Sequence, residues 1–438
     1  VQHSYGRYTP LTRANITGMA QWSGLDPDLK ETIRILSLVF PFRTNPYVVN
    51  ELIDWDNVPD DPVYQLTFPQ KGMLNDAAFK ELQSSADKPA MLARLVQSLR
   101  LDMNPHPAGQ LTHNIPLFRG TAMEGVQHKY EETVLFFPSP AQTCHAYCTF
   151  CFRWPQFVGM DEMRFGARSS HQLVEYLAAH PKVTDVLFTG GDPFIMSARS
   201  LREFIMPLLD ERLDHIHSIR IGTKALSYWP QRFLTDRDAD DVLRLLEELR
   251  RAGKNVAIMG HFNCSREMET DLFDAAMRRL LATGASIRMQ APLLRHINDS
   301  SVEWTRLWRK GVQSGAIPYY MFLERDTGPK EYFRVPLAEA YGIFRDAYAG
   351  VSGLARTVRG PCMSVLPGKI HIDGITTING QKVFALQFLQ ARRPEIVRRP
   401  FYAKYDDKAF WWDDLKPAFG SRFEFEVWSA GNVLEAAE

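Results

Sequence analysis

The chain has 438 residues, 45% of them apolar and 23% charged, and its 51 lysines and arginines are balanced by 51 aspartates and glutamates. Such a composition suits a chain that buries a large core, and a formal net charge of zero removes the usual electrostatic case for nucleic acid or an anionic membrane surface. No run of about 18 apolar residues offers a membrane span, no secretory-type apolar segment opens the chain, and five cysteines make no disulfide framework, so a reducing, cytoplasmic compartment is expected.

In chain order, residues 1–131 read as a helical N-terminal extension. Apolar residues at helical spacing mark 32–40 (Ile33, Leu36, Val39, Phe40) and 90–101 (Leu92, Leu95, Val96, Leu99), with a turn-rich stretch at 57–62 between them. From about Glu132 short apolar runs alternate with amphipathic helices, the pattern of repeated βα units on a parallel sheet. Strands are expected at 134–137, 185–189, 216–222, 256–261, 286–290 and 318–322. Helices at 241–252 and 271–283 stop at Gly253 and Gly284. Six such units within 132–350, with no G-x-G-x-x-G after the first strand, predict an α/β fold built on a partial (β/α)6 barrel. Residues 351–438 read as a C-terminal β-hairpin and irregular extension. Segments 369–373 and 381–385 flank Asn379-Gly380, a hairpin turn signal, and an aromatic tail with Phe410-Trp411-Trp412 should pack on the barrel.

Three of the five cysteines fall in Cys144-His145-Ala146-Tyr147-Cys148-Thr149-Phe150-Cys151, directly after the first expected strand. Parallel barrels place their active sites at that end of the strands. Three thiolates can hold three irons of a [4Fe–4S] cluster and leave the fourth iron open. A structural zinc site is the alternative reading of this spacing; it needs a fourth ligand, and His145 is too close along the chain to close a tetrahedron. C-x3-C-x2-C with an aromatic before the last cysteine resembles the pattern of radical S-adenosylmethionine (SAM) enzymes, which cleave SAM to a carbon radical. One βα unit later, Gly190-Gly191-Asp192-Pro193 ends the second strand. Backbone carbonyls beside two glycines, with Asp192, suit an ammonium group; the plain alternative is a tight βα turn. The position resembles the motif with which radical SAM barrels hold the SAM amino group.

The chain further resembles the lysine 2,3-aminomutase family from about Phe42 to Lys369, through Asn45-Pro46-Tyr47, Asp60-Asp61-Pro62-Val63, Ile219-Arg220-Ile221-Gly222-Thr223, His261-Phe262-Asn263, Leu293-Leu294-Arg295, Pro318-Tyr319-Tyr320 and Phe333-Arg334-Val335-Pro336. That resemblance implies SAM as a regenerated radical source and pyridoxal 5′-phosphate (PLP) as carrier of a migrating amino group. It implies that Arg153 grips the substrate carboxylate, that Phe150 lies against the adenine, and that His261 and Gln290 line the SAM pocket, with a core-satisfying role open for both. Lys369 falls where the family keeps its PLP-binding lysine.

Several positions depart from the lysine-specific pattern. Val365-Leu366-Pro367-Gly368 replaces the acid and glycine run before that lysine, Arg325 stands where those members carry a second acid, Trp154-Pro155-Gln156 replaces an arginine-rich run, and the C-terminal zinc cysteines are absent. Two acids neutralise the ε-ammonium of lysine, so the expected substrate is another amino acid with an acidic or neutral polar side chain, unless Asp326 takes over by a one-residue shift. Two other readings stay open: a PLP-free radical SAM epimerase, dehydrogenase or coupling enzyme, and a non-catalytic metal-binding protein. The expected partners are a small amino-acid substrate and an electron donor such as a flavodoxin or ferredoxin, without nucleic acid or membrane; a homo-oligomer is left open.

Overall fold

The computed structural model describes residues 7–104, 112–159 and 165–426, so the end of the expected C-terminal extension, 427–438, lies outside the described residues. The N-terminal part carries four helices, α1 (Pro27–Val39), α2 (Pro62–Thr67), α3 (Asp76–Ser84) and α4 (Pro89–Asp102). Proline opens α1, α2 and α4, at the position whose N–H has no helical partner. The side chains of Asp26, Asp61 and Asn75 accept from the first free amides of α1, α2 and α3. Two short antiparallel pairs, β1 (Leu11–Thr12) with β2 (Arg43–Thr44) and β3 (Leu117–Phe118) with β4 (Thr121–Ala122), accompany them.

One eleven-stranded sheet follows, its strands neighbouring each other in chain order: β5 (Val126–Tyr130), β6 (Thr133–Phe136), β7 (Asp185–Phe188), β8 (Ser218–Thr223), β9 (Asn255–His261), β10 (Ser286–Leu293), β11 (Ala316–Leu323), β12 (Arg359–Ser364), β13 (Gly368–Ile378), β14 (Gln381–Ala391) and β15 (Pro400–Lys404). From β6 to β12 every neighbour is parallel, while β5 at one edge and β13 to β15 at the other are antiparallel. The parallel part thus has seven strands rather than the six expected. The seventh, β12, holds Gly360-Pro361, a pair that reads as a turn in sequence. The sheet also begins at Val126, inside the region read as a helical extension, because the Val-Gln-His-Lys-Tyr of β5 carries too little apolar character to announce a strand.

Alternation along the strands sorts the two faces. On β10, Ile287, Met289, Ala291 and Leu293 are buried, while Ser286, Arg288 and Gln290 on the other face are partly exposed. The apolar face packs against α5 (His171–Ala178), α6 (Ala198–Ile205), α8 (Ala239–Arg251), α9 (Asp271–Ala282), α10 (Ser301–Gln313) and α12 (Leu337–Ala349), with α7 (Ala225–Tyr228) and α11 (Lys330–Phe333) as single turns in loops. Gly253 and Gly284, both at positive φ, end α8 and α9 where the sequence placed the stops. Asn379 (φ 51°) and Gly380 (φ 78°) turn β13 into β14, making a hairpin of two eleven-residue strands, longer than the sequence suggested. The aromatic tail packs on the hairpin side of the sheet: Trp412 lies 4.7 Å from Phe423 and 6.0 Å from Phe401 of β15.

The sheet curls until its ends meet. Lys129 of β5 donates to the carbonyl of Val365, between β12 and β13, and β5 touches β14. A second core joins the N-terminal helices to residues that follow the C-terminal ends of parallel strands: Trp154 after β6, Tyr228 and Trp229 after β8, Cys264 after β9, Leu294 and Ile297 after β10, and Phe333 after β11. The N-terminal region therefore roofs the end of the sheet from which the motif loops project. Among the described residues no helix is long and apolar enough to cross a membrane.

Candidate active site

The cysteine loop leaves the C-terminal end of β6 and is fastened by the roof. Tyr8 Oη (2.8 Å) and Asn45 Nδ2 (3.2 Å) donate to the carbonyl of His145. Arg43 donates to Thr143 Oγ1 (2.7 Å) and to the Cys144 carbonyl (3.3 Å), and the amide of Tyr147 donates to the Arg43 carbonyl at 2.8 Å. Thr149 is held through its amide by Leu66 (2.9 Å) and through its hydroxyl by Gln65 (2.7 Å). Cys144, Cys148 and Cys151 are all free and partly exposed. Burial holds each thiol above its ordinary range, Cys148 at about 12, and each of Cys144 and Cys148 is raised further by the charge of its neighbouring thiols. Among the described residues no three His, Cys, Asp or Glu side chains converge as a seat for one metal ion. A cubane binds each cysteine through a different iron, so it asks for no such convergence. The donor set, three soft thiols on one fastened loop, fits that cluster.

The Gly190-Gly191-Asp192-Pro193 turn is knitted to this loop. The amides of Gly191 and Asp192 donate to Ala141 (2.9 and 3.1 Å), and Asp192 N also donates to Thr143 at 2.8 Å. A Cβ on Gly191 would stand 2.3 Å from the Thr143 carbonyl oxygen, so this glycine permits the approach of two backbones rather than of a ligand. The Asp192 carboxylate is buried and turned to Thr223 Oγ1 and to the amides of Lys224 and Phe194, at 2.8 to 2.9 Å. Burial lifts it to about 6 against the pull of those bonds. Asp192 thus ties the ends of β7 and β8 together, and the carbonyls of Asp192 and Pro193 accept from the amides of Ile195 and Met196 at 3.1 Å. His261 and Gln290 do meet, Nε2 to Nε2, at 3.0 Å. Burial, aided by Lys224, lowers His261 to about 4, so its ring is neutral near pH 7. Phe150 packs against Phe333 at 6.3 Å in the second core.

Arg153 and Arg325 flank Phe152, their guanidinium carbons 5.0 and 5.5 Å from its ring centre. Arg153 has no carboxylate partner among the described residues; burial lowers it to about 10, the Cys151 thiolate raises it, and Arg325 lowers it. Three successive residues after β11 hold buried polar atoms with no hydrogen-bond partner: both carboxylate oxygens of Glu324, Nε and Nη2 of Arg325, and Oδ1 of Asp326. Arg325 Nε and Asp326 Oδ1 approach only to 3.6 Å. Burial keeps the Glu324 carboxyl well above the usual carboxylate range.

Lys369, second residue of β13, points along the same interior face. Its Nζ lies 4.0 Å from the centre of the Tyr320 ring and 3.3 Å from Gln390 Oε1. Burial brings it down to about 7, with Cys362 opposing and Arg359 and Arg220 adding to the fall. Lys129 stands beside it, lowered to about 7 by burial and by Arg325, Arg392 and Lys369. Arg153 and Arg325 share the Phe152 ring, and Lys129 Nζ donates to the carbonyls of Val365 and Gly368, the latter the residue before Lys369. Sequence reasoning missed Lys129, Arg359 and Glu324. Lys129 and Glu324 fall in no motif, and Arg359 opens the strand that a Gly-Pro pair concealed.

No family model matches the chain. A protein of Aquifex aeolicus named for L-lysine 2,3-aminomutase is 31% identical over 377 residues, 86% of this chain and 87% of that one. The L-lysine 2,3-aminomutase of Clostridium subterminale is 26% identical over 347 residues (79% of this chain, 69% of that one), and that of Escherichia coli 28% over 258 (58% and 70%). Among solved structures, Streptococcus suis SuiB bound to S-adenosylmethionine superposes with a TM-score of 0.35 at 13% identity. It covers 61% of this chain and 56% of that one, too loose a match to bear on fold or function.

Proposed function

Because the chain belongs to the lysine 2,3-aminomutase family of radical SAM enzymes, we propose that it isomerises an amino acid other than lysine, moving the amino group between neighbouring carbons with a [4Fe–4S] cluster, SAM and PLP as cofactors. The curled sheet is read accordingly as the partial barrel of such an enzyme. When bound, the cluster and SAM supply a carbon radical and PLP carries the migrating amino group. Cys144, Cys148 and Cys151 would hold the cluster, and the carbonyls around Gly190 and Gly191 would receive the SAM ammonium. Arg153, without an acid of its own, would take the substrate carboxylate in a two-pronged grip. An amine near neutrality is a nucleophile at physiological pH, so Lys369 is the group that would hold the PLP aldehyde. Arg359 and Lys129, cations beside it, suit the phosphate. Arg325, with its orphan donors, faces the substrate side chain and favours an acidic or neutral polar group.

The observation that carries this reading is the setting of Lys369, whose Nζ lies 4.0 Å from the Tyr320 ring and 3.3 Å from Gln390 Oε1 with Lys129 bonded to the carbonyl of the preceding residue, because a lysine is the kind of side chain that can hold PLP covalently. Borohydride reduction of the PLP-loaded protein, followed by peptide mapping, tests it, together with an amino-acid panel read by mass spectrometry. A pyridoxyl label on Lys369 and isomerisation of a non-lysine amino acid are expected. Substrate-dependent SAM cleavage without label on Lys369 would replace this reading by the PLP-free one.

A further inference from the structure

We propose that a cleft behind the cysteine loop, outside the sheet, is where a small acidic one-electron carrier protein docks to reduce the cluster; this rests on the reading of Cys144, Cys148 and Cys151 given above. The cleft has a volume of about 1630 Å³ and runs between the N-terminal segment at Tyr8, the start of α6 and one side of α8. Its floor is His145, the residue after Cys144, which is 3% exposed and whose Nδ1 is buried without a hydrogen-bond partner. The Tyr8 ring meets His145 and Trp229 edge-on, at 5.2 Å each. Tyr8 lines the cleft and donates to the carbonyl of His145, the residue after Cys144, at 2.8 Å.

Charge selects the kind of partner. Six arginines and four acids line the cleft. The acids are engaged: Asp236 and Asp238 face Arg232, Asp241 faces Arg244, and Glu248 faces Arg202. Arg7 and Arg237 are exposed and have no carboxylate partner among the described residues. The whole chain has no net charge, so steering of a partner must come from a local excess such as this one, and it is positive. The cleft is concave and carries more arginines than acids, fit for a convex acidic surface. One electron passes from the carrier, which is oxidised by one unit, to the cluster, which is reduced by one; no bond breaks and no proton moves in this step.

The test is stopped-flow bleaching of the reconstituted cluster by flavodoxin hydroquinone and, separately, by dithionite. It compares the protein with its Arg7→Glu/Arg237→Glu double variant. At low salt the variant should be reduced about tenfold more slowly by flavodoxin, the gap should narrow as salt screens the surface charges, and the dithionite rates should coincide. An unchanged flavodoxin rate at low salt overturns the proposal, as does an equal slowing with dithionite, which would place the damage in the cluster itself. If neither reductant bleaches the wild-type protein, the cluster reading fails, and the docking reading with it.

Discussion

The two halves of the site are built in opposite ways. The cysteine loop is held by groups far away in sequence, from Tyr8, Arg43, Asn45, Gln65 and Leu66, and its exposed backbone groups find partners in the protein. Around Arg325, in contrast, three neighbouring residues keep buried polar atoms without partners, and Arg153 faces them with no counter-charge. A buried polar group without a partner costs about 1 to 3 kcal/mol, so nature seldom leaves several together unless something else satisfies them. On the proposed reading the difference would separate a part of the site that positions, by backbone bonds to the loop, from a part that receives, although side-chain atoms such as His145 Nδ1 and Arg43 Nε are unpartnered at the loop as well.

Removing a thiol should break the positioning half outright. Cys148→Ala is expected to abolish both cluster assembly and 5′-deoxyadenosine formation, measured by iron content and product chromatography, while Cys264→Ala and Cys362→Ala keep both. The receiving half is broken by the wrong substrate. On the proposed reading, in which Arg325 stands where a lysine-specific pocket needs an acid, an ε-ammonium would be buried beside a guanidinium, at a cost of about 3 to 5 kcal/mol. L-lysine should then be turned over roughly two to four orders of magnitude less efficiently in kcat/KM than the best amino acid of a panel; comparable turnover would mean that Asp326 answers the ammonium.

A smaller effect sharpens the contrast through pH. Burial holds Lys369 at about 7 instead of 10.5. Between those values the unfolded chain keeps the proton that the folded chain has released, so this group makes stability rise with pH across that window, and its penalty is full below about 7. Lys369→Met should therefore be more stable than the wild type at and below neutral pH, with the gain fading as pH approaches 10.5; urea unfolding of the cofactor-free protein at several pH values reads it. The smallest change falls on a single fastening. Asn45 is fully buried and bonds the carbonyls of His145 and Tyr228 and the amide of Val48. Asn45→Ala should lower unfolding stability by about 1 to 3 kcal/mol and speed cluster loss in air, followed by the decay of its visible absorbance.

The same contrast explains what could be read in advance. The cysteine loop, the hairpin turn at Asn379-Gly380 and the stops at Gly253 and Gly284 are local signals, in which neighbouring residues determine the conformation. The roof was invisible because its work is done by single hydrogen bonds spanning about 80 to 180 residues, and no periodicity records those. Strand β12 was hidden by Gly360-Pro361, and β5 by its polar residues. Spacing places Asp192 in the turn after the second strand, but only packing reveals that Thr223 and Lys224 bond both its carboxylate oxygens. The orphan atoms of residues 324–326 are a property of burial and could not be seen as letters.

The fastening of the cysteine loop has a consequence for how the protein matures. In a small zinc finger, ligand and fold arrive together, because without the ion there is too little else to hold the chain. Here the loop is anchored to a roof that has its own buried core, so the polypeptide can complete its fold first and receive iron and sulfide afterwards, into a mould already set. If the proposed cluster is held there, its maturation would be a matter of delivering iron and sulfide to a loop that other parts of the fold already anchor.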